Sequence, residues 1–377
     1  MMGWTGVQYS ALRVAAALCV LAACLRRLPF SEGLATLLLL LSIPLAALLL
    51  IGWRDREIAP LLIGTLVGGA GLAADSPLPL PERDVLFTSV MLALHAMTPA
   101  APFGSFEARD RVDPRGGWER PARVGGLAWL VLALTHSLRA YSLAFGNEIR
   151  LEDTLWPSGL AFLVVALDVF FLAATGLRPL RAPAWIAAFT MEAALAVLPS
   201  APVGSSAFLL LHLFAAEPAW WRGRPLARHG RPATSPDEPA RLYYDGDCGF
   251  CHRAVRIVLS EDANTPAAFA LRFAPLAGPT FERQVATRSD VRTEALPDSI
   301  VLVLEDGRLL TRSAAAVEIA SRLGGLWRAV ALIGDALPSR LLDAVYDAIA
   351  RVRSKLFAQP KDACPILPPE LRQRFDP

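Results

Sequence analysis

The sequence predicts two unlike parts: an all-α transmembrane bundle of about eight helices over residues 1–221, and a C-terminal α/β domain over residues 241–377. Three observations carry this division. Hydrophobic residues make up 54% of the 377 and charged residues only 19%, against roughly a quarter charged in soluble domains; the mean hydropathy is +0.41. Long apolar runs fill the chain up to about Trp221, whereas beyond it charges recur every few residues. Residues 222–240 hold four prolines and no apolar periodicity, which is the composition of a linker.

Counting stretches of about 17 to 22 apolar residues as long enough to cross the hydrocarbon core, eight spans are expected. They are Val7–Leu25, Leu34–Ile51, Ile58–Ala74, Val85–Phe103, Val124–Phe145, Leu160–Leu177, Ala184–Leu198 and Val203–Trp221. The seventh carries Glu192. The first differs from a signal peptide in its length, in the Arg13 inside it and in the absence of a small-residue cleavage site, so it is read as a retained helix. With both termini inside, thirteen arginines fall in inside loops and the start of the tail, and four fall outside. That bias predicts a multi-pass bacterial inner-membrane protein with its tail in the cytoplasm.

The net charge of +2, from 37 basic and 35 acidic residues, provides no basic surface for nucleic acid, and none is expected as a partner. Only Lys355 and Lys361 are lysines, so no lysine serves as base or Schiff-base former in the first 354 residues. The five cysteines, Cys19, Cys24, Cys248, Cys251 and Cys364, are too few for a disulfide-stapled scaffold.

In the tail, Arg241–Tyr244 reads as a strand, Asp245-Gly246-Asp247 as a turn, and Cys248 to Ser260 as a helix with Val255, Val258 and Leu259 on one stripe. Ala268–Phe273 is the second expected strand and Pro279–Ala286 a helix. Ser299–Leu304 and Arg308–Thr311 form a hairpin across Glu305-Asp306-Gly307, where glycine supplies a positive φ. Ser313 is expected to cap a helix ending at Leu323 before Gly324-Gly325. The order β-α-β-(α)-β-β-α is that of a thioredoxin-like domain.

Cys248-Gly-Phe-Cys251 falls where the first strand turns into the first helix. Thiols at i and i+3 on a first helical turn are close enough to bridge, and the helix N-terminus favours a thiolate on the first. Cys248 is therefore the expected attacking thiolate and Cys251 the resolving thiol. Three other readings stand beside this one: an inert buried pair, a zinc site, and c-type haem attachment at Cys248-Gly-Phe-Cys251-His252. Haem requires iron ligation by His252 and a second axial ligand, yet no methionine follows Met191. His252 is expected to be an ordinary polar residue.

Tyr-Asp-Gly-Asp-Cys-Gly-Phe-Cys, Tyr244 to Cys251, resembles the signature of the DCC family of thiol-disulfide oxidoreductases. The likeness continues through Phe273-Ala-Pro-Leu276, Asp298-Ser-Ile-Val-Leu-Val303, Asp306-Gly307, Arg312-Ser-Ala-Ala315, Tyr346 to Phe357 and Cys364, covering nearly all of residues 241–377. It implies a thioredoxin-like fold and a disulfide-exchange role; with the tail in the cytoplasm, protein-disulfide reductase activity on a protein or small-molecule thiol/disulfide partner is expected, with no cofactor and no metal. Asp245 and Gly246 are expected to shape the turn, with Asp245 able to handle protons near Cys251. Pro297 stands where thioredoxin-like folds place a cis-proline, and a plain strand-boundary proline is the alternative. Cys364 is either a third redox thiol or idle.

The membrane half is less legible. Cys19 and Cys24 lie five residues apart, about 7.5 Å along a helix, beyond disulfide reach. Arg13, His95, His136, Arg139, Asp168, Glu192 and His212 fall inside expected spans, where ionisable groups face a partner or a cavity. Residues 122–221, with Trp156-Pro157 and Leu211 to Trp220, weakly resemble the membrane domain related to vitamin K-dependent carboxylases. The lack of a lysine before Lys355 removes the base such an activity would need. Two alternatives to the oxidoreductase reading are a membrane electron-transfer haem protein and a transporter or scaffold with a regulatory redox tail.

Overall fold

The structure is a computed structural model that describes residues 4–72, 82–109, 111, 113–114, 118–145, 158–197, 206–217, 220, 239–262, 270–289, 299–356 and 367–377. The chain divides into two compact units: Met1–Arg109 with Trp118–Glu217, and Asp110–Gly117 with Pro218–Pro377.

The first unit is helical. Its helices are α1 (Gly6–Arg27), α2 (Gly33–Ile51), α3 (Asp55–Leu72), α4 (Glu82–Ala96), α5 (Ala122–Phe145), α6 (Ser158–Gly176), α7 (Arg181–Val197) and α8 (Ser206–Ala215). Among the described residues, three stretches are long and apolar enough to cross a membrane: Gly6–Leu25, Gly33–Ile51 and Ala122–Phe145; Val85–Ala96, Phe162–Gly176 and Ser206–Ala215 are shorter apolar helices. Their apolar surface is distributed around the helix axis. On α2, Leu39, Ala46 and Leu49 are buried while Leu34, Leu37, Leu40 and Leu41 are exposed, the pattern of an apolar helix that packs on protein along one side only.

Two expected spans end early. The fourth was expected to reach Phe103, but α4 stops at Ala96, where the Thr98 hydroxyl donates to the His95 carbonyl at 2.7 Å. Pro99 and Pro102 follow directly and disfavour helix. The eighth was expected over Val203–Trp221, yet α8 has 10 residues and ends before Glu217-Pro218 for the same reason.

The second unit is built on a mixed sheet of β1 (Arg241–Tyr244), β2 (Arg272–Pro275), β3 (Val301–Val303) and β4 (Leu309–Thr311), in the order β2-β1-β3-β4. β1 pairs parallel with β2 and antiparallel with β3, and β3 pairs antiparallel with β4. α9 (Gly249–Glu261) makes the crossover from β1 to β2. α10 (Pro279–Phe281) runs into a π turn over Glu282–Ala286, and α11 (Arg312–Leu323), α12 (Gly325–Ala336), α13 (Ser339–Leu356) and α14 (Pro369–Arg372) follow β4.

Strand alternation sends side chains to opposite faces. Leu242, Tyr244, Phe273 and Leu302 meet Cys251, Val255, Leu259 and Ile319 of α9 and α11. Tyr243, Ala274 and Val301 meet Val285 on the other face. β2 begins at Arg272, so the described Ala270 and Leu271 fall outside the strand expected of them, because its register is set by Arg241↔Arg272 through Tyr244↔Pro275. Pro275 is tolerated as the last residue of that strand. The outer side of β2 is covered by the chain end: the Phe273 amide donates to the Arg374 carbonyl at 2.9 Å and the Asp376 amide to the Phe273 carbonyl at 2.8 Å.

The hairpin turn has Gly307 at φ +80, as its glycine predicts, and Gly324 ends α11 at φ +70. Ser313 is not the cap expected of it. Thr311 is the N-cap residue, and the Ser313 hydroxyl instead donates to Asp343 Oδ1 of α13 at 2.5 Å. On α13 the carboxylates thus turn toward α11 while Leu341, Val345, Ile349 and Val352 are exposed.

Candidate active site

β1 ends at Tyr244 and the chain turns at once into α9. Asp245 closes the turn, its Oδ1 accepting the Asp247 amide at 2.9 Å and its carbonyl the Cys248 amide at 3.4 Å. That places Cys248 at the N-cap of α9, with φ −94 and ψ 112, outside the helix. A serine or asparagine at such a position accepts a free first-turn amide through oxygen; here the sulfur does so, the Cys251 amide donating to Cys248 Sγ at 3.3 Å. The partial positive end of the helix and a backbone N–H therefore both face this sulfur.

Cys251 lies one turn in, 4% exposed and packed with Tyr244, Val255 and Leu259 in the core. Burial pushes its thiol from an ordinary 9.0 up to about 12, reinforced by the hydrogen bond and charge of Cys248, while Arg353 pulls the other way. Both cysteines are free thiols. One sulfur thus meets the N-terminal end of the helix, and the other is held as a thiol beneath it.

Arg353 is a participant that sequence reasoning missed. It is a buried residue of α13 whose Nη2 lies 3.9 Å from Asp245 Oδ2. It sits 102 positions after Cys251, and only the packing of α13 on α9 brings it to the site. An arginine on an amphipathic helix carries no local signal of that role.

Two expectations change. Gly246 was expected to shape the turn, yet its φ lies outside the left-handed region and an added Cβ would meet only the Pro275 Cβ at 3.5 Å. Its contribution is its carbonyl, 2.7 Å from His252 Nε2. His252 is accordingly not an ordinary polar residue: it is buried, donates to that carbonyl, and stands edge-on to Tyr244 at 5.6 Å. The nitrogen that would ligate a haem iron is committed to the backbone. Pro297 and Cys364 lie outside the described residues.

One carboxylate oxygen of Asp245 and the two sulfurs lie within 4.8 Å of one another, a spacing that metal ions use. A zinc site needs both thiols ionised, and the burial that keeps Cys251 a thiol works against it.

Residues 242–359 match the family model of DCC1-like thiol-disulfide oxidoreductases. A curated relative, the uncharacterized protein YuxK of Bacillus subtilis, is 33% identical over 145 residues, which cover 38% of this chain and 99% of YuxK. The chain belongs to the DCC1-like thiol-disulfide oxidoreductase family. No solved structure matches it. The matched segment begins within β1 and contains the Cys248–Cys251 turn, so the DCC1-like domain and the site coincide. The relative matches only 38% of the chain, so the kinship to the carboxylase-like membrane domain has no support from these comparisons.

The structure gathers the seven ionisable residues named above into two buried networks. Arg13, His95 and Asp55 meet near Tyr9, with His95 Nδ1 2.6 Å from the Tyr9 hydroxyl. His136, Arg139, Asp168, Glu192 and His212 form the other. Cys19 and Cys24 both lie on α1, and neither is in a disulfide.

Proposed function

We propose that the chain is a membrane-anchored thiol-disulfide oxidoreductase of the protein-disulfide reductase type, with a thioredoxin-like domain working through Cys248 and Cys251. The observation that carries this reading is Cys248 Sγ at the N-cap of α9, accepting the Cys251 amide, with Cys251 buried directly behind it.

The thiolate of Cys248 attacks one sulfur of a substrate disulfide. A new S–S bond forms to Cys248, the substrate S–S bond breaks, and the leaving sulfur departs as a thiolate. Cys251 then loses its proton and attacks the Cys248 sulfur, forming the Cys248–Cys251 disulfide and releasing the second substrate thiol. Two electrons pass from the cysteine pair to the substrate. Formation of the mixed disulfide removes the negative charge on Cys248, one of the causes that hold Cys251 protonated, so the resolving thiol ionises more easily once it is needed. Asp245 and Arg353 set the local field around this step, and Pro297, by its sequence position, is assigned to aligning the substrate backbone.

The domain is tethered by residues 1–221, which we read as eight spans with both termini in the cytoplasm, joined through residues 222–240. The three long apolar helices support anchoring, and the arginine bias supports the orientation. A cytoplasmic site favours the dithiol form and hence reduction of substrates. The test is insulin-type disulfide reduction by the purified full chain: Cys248→Ser abolishes it, and peptide mapping of oxidised wild type finds a Cys248–Cys251 bridge. An unchanged rate in Cys248→Ser, or no such bridge at any redox poise, overturns the reading. A topology reporter fused after Pro377 decides the compartment.

A further inference from the structure

Four helices of the first unit bring five ionisable side chains into one buried cluster: His136 and Arg139 from α5, Asp168 from α6, Glu192 from α7 and His212 from α8. His136, Asp168, Glu192 and His212 have no exposed surface. Asp168 Oδ1 lies 2.7 Å from His136 Nδ1 and 2.6 Å from Arg139 Nη2, and its Oδ2 accepts from Arg139 Nε at 2.8 Å. Arg139 also donates to Glu192 Oε1, while Glu192 Oε2 is buried without a hydrogen-bond partner. His136 Nε2 faces His212 Nε2 at 3.1 Å, and His212 Nδ1 lies 2.9 Å from the Phe208 carbonyl oxygen.

The closest contacts fix the tautomers. Arg139 Nη2 also stands 3.1 Å from His136 Nδ1, but the nearer neighbour of that nitrogen is Asp168 Oδ1 at 2.7 Å; a carboxylate paired with arginine and a backbone carbonyl only accept, so the ring nitrogen facing each must carry hydrogen. Both Nδ1 atoms are therefore N–H. In a neutral imidazole that leaves Nε2 as a bare lone pair, and here the two Nε2 atoms face each other at hydrogen-bond distance. Two lone pairs at this separation repel, whereas one N–H···N bond satisfies both atoms. The contact calls for one hydrogen more than two neutral rings possess.

Charge counting agrees. Asp168 and Glu192 bring two negative charges and Arg139 one positive, so a single extra proton on the histidine pair makes the cluster neutral, as burial requires. A proton on Glu192 would balance the charge but leave the lone pairs opposed. A divalent cation would also satisfy them, yet among the described residues no third donor joins these two nitrogens. The rings of Phe171 and Phe208 pack on His136 at 4.5 and 5.5 Å, which is poor company for an ion needing four ligands.

We propose that His136 and His212 form a proton-binding site in the helical unit, holding one exchangeable proton between their Nε2 atoms. Asp168 and the Phe208 carbonyl fix the two rings, and Arg139 holds the two carboxylates. When a base takes the proton, the N–H bond to Nε2 breaks, the base gains the hydrogen, and two neutral imidazoles remain; reprotonation reverses the step. The ionisable groups facing the pair are Arg139 on α5, Asp168 on α6 and Glu192 on α7. On α1 and α4, which also pack on α8, Arg13 and His95 lie instead beside Asp55, and Tyr9 beside His95.

The chain has five histidines, few enough to assign one by one. The experiment is ¹⁵N magnetic resonance of histidine-labelled full-length protein in lipid nanodiscs. A ¹⁵N–¹⁵N coupling across the hydrogen bond between two histidine Nε2 atoms is expected in wild type, lost in His136→Gln and His212→Gln, and kept in His229→Gln. Raising the pH is expected to abolish the coupling reversibly while the helical circular dichroism stays unchanged. Absence of the coupling in wild type at every pH overturns the proposal, and so does a coupling that persists until the helices melt, since that marks a fixed structural bond. A stoichiometric divalent metal whose removal by chelator shifts these signals overturns it in favour of a metal site. The wild-type measurement decides whether or not the variants fold.

Discussion

Replacing Cys248 with alanine separates the two causes that keep Cys251 a thiol. In the native site Cys251 moves from 9.0 to about 12, first through burial and then through the hydrogen bond and charge of Cys248. That rise corresponds to about a thousandfold less thiolate than an exposed cysteine has at the same pH, and alkylation proceeds through the thiolate. In the reduced full chain at pH 7.5, a pulse of iodoacetamide followed by peptide-resolved mass spectrometry should therefore label Cys248 first. Cys251 should lag an added exposed-thiol standard by about three orders of magnitude. In Cys248→Ala the contributions from Cys248 vanish while burial stays, so Cys251 labelling should rise yet remain slower than the standard. The companion variant Cys251→Ser should accumulate a mixed disulfide at Cys248 when given a disulfide substrate. Labelling of wild-type Cys251 as fast as Cys248 would refute the reasoning, because it would exchange the attacking and resolving roles.

Gly246→Ala should change the exchange rate less than about twofold, since its Cβ meets only an ordinary contact at 3.5 Å. His252→Leu strands the Gly246 carbonyl and should destabilise the turn by about 1–3 kcal/mol, read as faster amide exchange at the start of α9. Asp245→Asn keeps an acceptor for the Asp247 amide but removes a charge that raises Cys251, so release of the mixed disulfide should quicken, measured by stopped flow. Asp376 joins the chain end to the sheet by accepting from Arg241 Nε and Arg272 Nε, each at 2.8 Å, and the Arg272 hydrogen bond chiefly holds its carboxyl below the ordinary range. A group lowered in this way stabilises the fold at pH above the ordinary carboxylate value and loses that contribution as pH falls through its folded value. Asp376→Asn should therefore cost about 1–2 kcal/mol at pH 7, discounted for partial exposure. The gap from wild type should close in acid, as pulse proteolysis of the full chain would show.

Local pattern made the cysteine turn readable. A strand ending at Tyr244, a C-x-x-C at the next turn and an apolar stripe at Val255, Val258 and Leu259 are short-range features, and the structure places a strand and a helix there. Gly307 and Gly324 were readable for the same reason, because each meets a positive φ set by its own neighbours. Ser313 misled because a side chain's best partner can lie elsewhere, here Asp343, 30 positions away. The start of β2 was misplaced because its register depends on β1. α4 and α8 ended short because prolines outweigh continuing hydrophobicity.

By itself, the sequence determined the partition into an apolar helical part and a charged α/β part, and the placing of Cys248 and Cys251 at a strand-to-helix turn. Hydrophobic period, charge density and a four-residue motif are all written within one or two turns of chain. Tertiary structure alone decided that Arg353 stands beside Asp245, that His252 is spent on the Gly246 carbonyl, and that the end of the chain covers β2. It also decided that His136 and His212, 76 positions apart, face each other. Such contacts depend on how separate helices and strands pack, and burial then makes each unpaired hydrogen or charge costly enough that partners distant in sequence must be supplied.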